Sequence, residues 1–179
     1  MIPRLLRGCA LASLMCVLPA CSLFSSSSQP KRSVASQRTV KLTEARKFIG
    51  KLLWPVPQSR LSSSFGQRWS EFHEGIDIRA PEGTPIYAAH AGQVVYADHR
   101  LRGYGNLIVI KGDGILTVYG HNRRNLVERG DRVQPGDHIA DVGQTGKATG
   151  PHLHFETRVK DASGFNAAVD PFVFFPKKR

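Results

Sequence analysis

The residues able to do chemistry fall in three short stretches: His73 and Asp77 in FHEGID, His121 in TVYGHN, and His152 with His154 in GPHLHFETRV. Successive side chains of an extended chain point to opposite faces, so His152 and His154 share one side while Leu153 and Phe155 take the other. Two neutral imidazoles aimed at one point suit a metal ion, although an isolated His-x-His in a strand is more often structural than ligating. His73 and Asp77 form a second pair. Their even separation puts both on one face of an extended segment, with Glu74 and Ile76 opposite, and Gly75 disfavours a helix. His-Glu also opens the helical zinc-protease motif H-E-x-x-H, but the closing histidine is missing, so Glu74 reads as a solvated carboxylate rather than a general base. His121 ends a strand at a turn. Together the stretches predict five polar groups converging from separate strand ends, whereas His90, His99 and His138 read as surface or structural residues.

The elements that must position these groups are strands. Of the 17 glycines, 16 lie from Gly50 onward, punctuating short runs rich in Val, Ile, Tyr and Leu. TPIYAA, GQVVYA, NLIVIK, ILTVYG, DHIADV and LHFETRV read as strands, with KGDG and QPGD as turns between them. No helical period of useful length runs between Trp54 and Val169. The expectation is an all-β fold: one compact domain of antiparallel strands, arranged as a twisted sandwich or barrel-like sheet, over residues 52–176. Ahead of it, TEARKFIG is expected to form a two-turn helix with Thr43 as N-cap and Gly50 after its end, burying Leu42, Ala45 and Ile49.

Residues 1–20 join Arg4 and Arg7 to the apolar stretch Ala10 to Leu18, which is the build of an export signal. That stretch is shorter than the roughly 20 residues a spanning helix needs. The tetrad LPAC resembles a bacterial lipobox, with Cys21 as the residue to be lipidated and to become the mature N-terminus. Cys16 follows bulky Met15 and Cys9 lies close to the charged start, so both fit worse. All three cysteines lie at or before position 21, so the exported domain has no thiol for a disulfide or a Cys-ligated zinc. Residues 21–51 read as a basic, Ser-rich tether that as a flexible coil would span roughly 30 Å. Loss of Arg4 and Arg7 leaves 23 basic against 14 acidic residues, so the formal charge falls from +11 to +9. In an exported lipoprotein such a charge points to anionic lipid head groups and wall polymers rather than nucleic acid.

Residues from Trp54 to about Pro171 resemble the lysostaphin-type (LytM-like) zinc metallopeptidases, a family of peptidoglycan endopeptidases. The resemblance runs through WPVPQSRLSSSFGQR, HEGIDIRAPEGTPIYAAHAGQVVYA, GYGNLIVI, LTVYGHN, GDRVQPGDHIADVGQTGKATGPHLHFE and VDP. It implies that His73, Asp77 and His154 hold Zn²⁺, that His121 and His152 are the catalytic histidines beside it, and that the substrate is the stem peptide of peptidoglycan. Two His and one carboxylate suit Zn²⁺ better than Mg²⁺ or Ca²⁺, and three protein ligands leave a fourth position for water. The other two imidazoles can steer or deprotonate water and hydrogen-bond a developing oxyanion, so no serine or cysteine nucleophile is required. Because ligating imidazoles must be neutral, metal affinity is expected to fall below about pH 6.

Other positions are read beside that resemblance. Gly143, Gly146 and Gly150 would let the loop before the histidine strand turn tightly. Arg68, Tyr104 and Asn106 read equally as substrate contacts or turn residues, and Asn122 departs from the leucine common after the family's third-motif histidine. The family also contains non-catalytic relatives that activate cell-wall amidases, but all five site positions are filled here. A carrier domain lacks its lysine-tipped hairpin in this sequence, and a wall-binding module would need no zinc. The first asparagine is Asn106, inside the domain, so an upstream asparagine latch is unavailable and restraint falls to the tether or a regulatory protein partner. The lipobox and the serine after Cys21 point to the outer membrane, facing the periplasm, and to D-Ala to diaminopimelate cross-links.

Overall fold

The computed structural model describes residues 45–68, 71–160 and 166–176. The export signal, Cys21, most of the tether, Leu42 and Thr43 lie outside them. Thirteen strands follow one another: β1 (Arg60–Ser63), β2 (Gly66–Arg68), β3 (Glu71–His73), β4 (Ile76–Arg79), β5 (Pro85–Tyr87), β6 (Gly92–Asp98) and β7 (Asn106–Lys111). Then come β8 (Leu116–Asn122), β9 (Arg124–Asn125), β10 (Arg132–Val133), β11 (His138–Asp141), β12 (His152–Lys160) and β13 (Asn166–Val169). All six runs read as strands from the sequence are strands, and every pairing among the named strands is antiparallel. The largest sheet follows the path β1-β4-β12-β8-β7-β6-β10, with β13 added on β12, beside a three-stranded sheet β5-β11-β9 and the hairpin β2-β3.

β12 lies at the centre of the site because it pairs β4 on one side and β8 on the other. Its alternation separates two chemistries. Leu153 and Phe155 are fully buried and join Ile76 and Ile78 of β4 in the core, where Tyr119 meets Phe155 edge-on at 5.3 Å. Burying an aliphatic or aromatic side chain of this size stabilises by about 1.5–3 kcal/mol, so the core face fixes the register and with it the opposite face. That opposite face carries His152 and His154 beside Asp77 and Arg79.

The expected two-turn helix is a single 3₁₀ turn, Ala45–Phe48, among the described residues. Ala45 is buried as expected, but Ile49 is 44% exposed. Gly50 adopts φ +69° and turns the chain after so few residues that no helical face can reach Ile49. From there the chain runs into the core, where Leu52 N donates to Phe174 O at 3.0 Å, tying this approach to the segment after Asp170.

Candidate metal centre

His73, Asp77 and His154 come together. Nε2 of His73 lies 3.1 Å from Oδ1 of Asp77 and 3.2 Å from Nδ1 of His154, and that Nδ1 lies 3.0 Å from the same carboxylate oxygen. The pairing explains half of the arrangement, since His154 stands directly opposite Asp77 in the β4–β12 ladder. His73 arrives differently from the sequence expectation. It ends β3, a separate strand paired with β2, and the chain bends at Glu74–Gly75 before β4 begins. The two residues thus share a face through a bend rather than along one extended segment. Only glycine fits there, because a Cβ on Gly75 would lie 2.5 Å from Phe155 O. The bend also takes Glu74 away from the Ile76 face, and its half-exposed carboxylate pairs with Arg158.

Hydrogen bonds to the far side of each ring set the lone pairs. Nδ1 of His73 lies 2.7 Å from Ser64 O and beside the Arg68 guanidinium, and donating to that carbonyl leaves Nε2 bare toward the cluster. Nε2 of His154 lies 2.9 Å from Oε1 of Glu156, which turns Nδ1 inward, and the Tyr104 hydroxyl donates to that same Oε1 at 2.7 Å. Arg68 donates to Oδ2 of Asp77 at 2.9 Å, leaving Oδ1 for the cluster. Burial would raise the Asp77 carboxyl, but His154, His73 and Arg68 outweigh it and hold the group well below the usual carboxylate range. Burial likewise pulls His154 down, yet its contacts with Asp77 and Glu156 push it up to about 9. Both shifts express one demand, a positive charge among three acceptors.

A divalent ion meets that demand. The donor atoms form a nearly equilateral triangle with edges of 3.0 to 3.2 Å. A tetrahedral centre with ligand distances of about 2.0–2.1 Å has edges of about 3.3–3.4 Å, so the triangle needs to open by only a few tenths of an ångström. Two imidazoles and one carboxylate are also the donor chemistry of a site that keeps an open position.

His121 and His152 stand beside this triangle with ring centroids 4.7 Å apart, and His121 lies 5.9 Å from His154. Nδ1 of His121 is held by Thr145 O at 2.8 Å and Nδ1 of His152 by Gly150 O at 2.8 Å, and neither Nε2 atom makes a hydrogen bond among the described residues. Nε2 of His152 lies 3.8 Å from Oδ1 of Asp77. Instead of ending its strand, His121 kinks it: φ is +64° and β8 continues to Asn122. Such a conformation in a bulky residue persists only where the surroundings enforce it, here through His121 N donating to Tyr104 O at 2.7 Å. Burial dominates its titration and pulls the imidazole down to about 4 against the Thr145 carbonyl, so it is neutral at ordinary pH.

The three positions left open between substrate contact and turn structure each have partners within the chain. Tyr104 belongs to the site, its ring standing edge-on to His154 at 5.7 Å. Arg68 steers Asp77, and Asn106 ties turns together by donating to Asn122 O and Arg123 O. Asn122 is fully buried, where its amide donates to Tyr119 O and Asn125 Oδ1 in place of aliphatic packing. A Cβ at Gly146 would lie 2.3 Å from Gly105 N, whereas one at Gly150 would meet nothing within 4 Å, so close approach explains the first glycine and not the second. His90 is buried against Ala91 O and Thr117, His99 is exposed, and His138 pairs with Asp141.

Glu156 and Arg158 were not singled out in the sequence. The signal was present, because the alternation that aligned His152 and His154 continues through Glu156 and Arg158 on the same face. Arg158 Nε donates to Oε2 of Glu156 at 2.5 Å.

Known proteins are similar to this chain in sequence and in fold. The chain is 48% identical over 105 residues to the Uncharacterized lipoprotein YgeR of Escherichia coli, covering 58% of this chain and 39% of that protein. It is 40% identical over 126 residues to the Murein hydrolase activator NlpD of the same species, covering 70% of this chain and 31% of the activator. The chain therefore spans about two fifths or less of the length of these curated relatives. Among solved structures, a zinc containing peptidase from Vibrio cholerae superposes with a TM-score of 0.61 at 31% identity, over 69% of this chain and 39% of that one. Residues 71–171, more than half of the chain and all five clustered histidine and aspartate positions, match Peptidase family M23, and the chain belongs to that family.

Proposed function

We propose that this protein is a zinc-dependent endopeptidase that hydrolyses peptide cross-links of bacterial peptidoglycan. The observation that carries the reading is the triangle of His73 Nε2, Asp77 Oδ1 and His154 Nδ1, with two further imidazoles beside it whose Nε2 atoms make no hydrogen bond among the described residues. Zn²⁺ held by those three atoms would supply a Lewis acid for the scissile carbonyl and lower the pKa of water to about 7. The chain's own residues do the rest. His121, neutral because it is buried, accepts a hydrogen bond or a proton at Nε2, and the Thr145 carbonyl keeps its other nitrogen protonated. His152 is oriented in the same way by Gly150. As water adds to the carbonyl carbon, its proton passes to one of these Nε2 atoms; as the C–N bond breaks, that imidazole returns the proton to the leaving amine. Glu156 and Tyr104 hold His154 still while this happens.

A second reading has one observation in its favour: a relative 40% identical over 126 residues is named a murein hydrolase activator. Incubating the zinc-loaded full chain with defined cross-linked wall fragments, with and without chelator, separates the two by mass spectrometry of the products. Chelator-sensitive appearance of new amine and carboxylate termini supports the endopeptidase. Intact fragments, together with faster product release when a wall amidase is added, support the activator. Relatives named as lipoproteins support a place in the cell envelope, with Cys21 as the lipidated residue. Cys21→Ala should move the protein from the membrane fraction to the soluble fraction.

A further inference from the structure

The face that carries the triangle continues past it. Across β1, β4 and β12 the register aligns Arg60 with Arg79 and Arg79 with His152, in the row next to the one that aligns Ser63, Asp77 and His154. Two arginines directly opposite one another on neighbouring strands repel, and the arginines that touch the carboxylates of the cluster are neutralised by them: Arg68 has Asp77, and Arg158 has Glu156 and Glu74. Arg60 and Arg79 have no acidic partner among the described residues. Arg79 instead lines a hollow beside His152, whose other walls include the hydroxyl residues Ser62, Ser63 and Thr149 with Gly150 and Pro151. Asp77 is the sole acid there, and Arg68 and the histidine cluster already engage it.

We infer that this hollow is a carboxylate-binding subsite, in which Arg79, backed by Arg60, fixes a free carboxylate of the peptide on the His152 side of the scissile bond. The inference deepens the endopeptidase reading and rests on it. A guanidinium offers two parallel N–H donors that match a carboxylate, and the neighbouring hydroxyls can donate to the same group. Neighbouring rows are two residues apart along the strand, about 6.6 Å, which is also the length of two residues of an extended substrate. The recognised carboxylate therefore sits within about two residues of the bond that is cut. The hollow on the opposite side of the triangle is mixed in charge, with Arg102 and Lys147 against Glu71 and Glu74, so it does not select for an anion. The asymmetry gives the substrate a direction.

The test uses the zinc-loaded full chain carrying His121→Ala for binding and the unmodified chain for turnover. The probes are a synthetic cross-linked stem peptide with free carboxylates and the same peptide with them converted to carboxamides. Calorimetry should show the free form binding about tenfold tighter or more. Arg79→Gln should bring it to the level of the carboxamide, Arg79→Lys should recover part of the difference, and Arg102→Gln should leave the ratio unchanged. A ratio within twofold, no binding of either peptide, or a ratio retained in Arg79→Gln overturns the inference. So does competition by inorganic phosphate at concentrations where acetate has no effect, which would assign the hollow to phosphate-bearing polymers. If discrimination tracks Arg79 while the unmodified chain cleaves neither peptide, the subsite stands and the endopeptidase reading falls. If the unmodified chain cleaves both peptides with equal kcat/KM and binding is equal, the reverse holds.

Discussion

Glu156→Gln separates holding a ligand from being one. Oε1 of Glu156 accepts from His154 Nε2 at 2.9 Å and from the Tyr104 hydroxyl at 2.7 Å, and Oε2 accepts from Arg158 Nε at 2.5 Å. A glutamine is nearly the same shape but has a single oxygen. If that oxygen stays with His154 and Tyr104, the amide NH₂ points at the Arg158 donor; if it turns, NH₂ points at two donors. A hydrogen bond to a charged group contributes about 1.5–3 kcal/mol and a neutral one about 0.5–1.5, so the bond orienting His154 weakens by about 1–1.5 kcal/mol. That corresponds to about a tenfold loss of zinc affinity, at the lower end of the 10–100-fold found when a partner behind a metal ligand is changed. The fully buried site should also lose about 1–3 kcal/mol of folding stability for the unmatched donor. Competition with a chromophoric chelator measures the first and urea unfolding the second. Zinc affinity within twofold of the unmodified chain would refute the claim that Glu156 selects the ligating nitrogen of His154.

Three further outcomes follow from particular contacts. Gly75→Ala should lose about 1–3 kcal/mol in urea unfolding and weaken zinc binding, because the added Cβ would stand 2.5 Å from Phe155 O and the bend that delivers His73 must move. Phe155→Ala, at a fully buried site against Tyr119, should cost about 3–5 kcal/mol of stability by the same measurement. His90 supplies a pH effect far from the zinc ligands: burial lowers its folded-state pKa against the Ala91 carbonyl, so the unfolded chain binds the extra proton more readily. Its contribution is present in full above about pH 6.5 and is lost as pH falls from there through the lowered folded value. In chelator-treated protein, unfolding at pH 7.5 and pH 5 should therefore show a smaller acid loss for His90→Asn than for the unmodified chain, and equal losses would contradict the assignment.

The site was legible in the sequence to the extent that strand periodicity carries it. Alternation placed His152 and His154 against Leu153 and Phe155, and both faces are as read. The same alternation extends to Glu156 and Arg158, so those residues were readable and were missed. The meeting of His73 with Asp77 depends on a bend at Gly75, and an even spacing alone does not distinguish a bent chain from an extended one. The carbonyls of Ser64, Thr145 and Gly150 set three histidine tautomers, and no sequence signal marks them because every residue carries a carbonyl. The 3₁₀ turn at Ala45–Phe48 stayed short because helix propensity over so few residues is weak beside the turn at Gly50. Glu74, read as solvated, is half exposed but has Arg158 as a partner from a distant strand, a contact that local sequence does not reveal.

The central claim is that His73, Asp77 and His154 hold a zinc ion while His121 and His152 move protons beside it. Elemental analysis of the purified full chain and two variants, read together with mass spectrometry of wall-fragment products, tests it most directly. The account predicts about one zinc per chain in the unmodified protein and in His121→Ala, none in His154→Ala, and new peptide termini from the unmodified protein alone. A chain that stays metal-free at saturating zinc, or a His121→Ala variant that has lost its metal along with its activity, would contradict it.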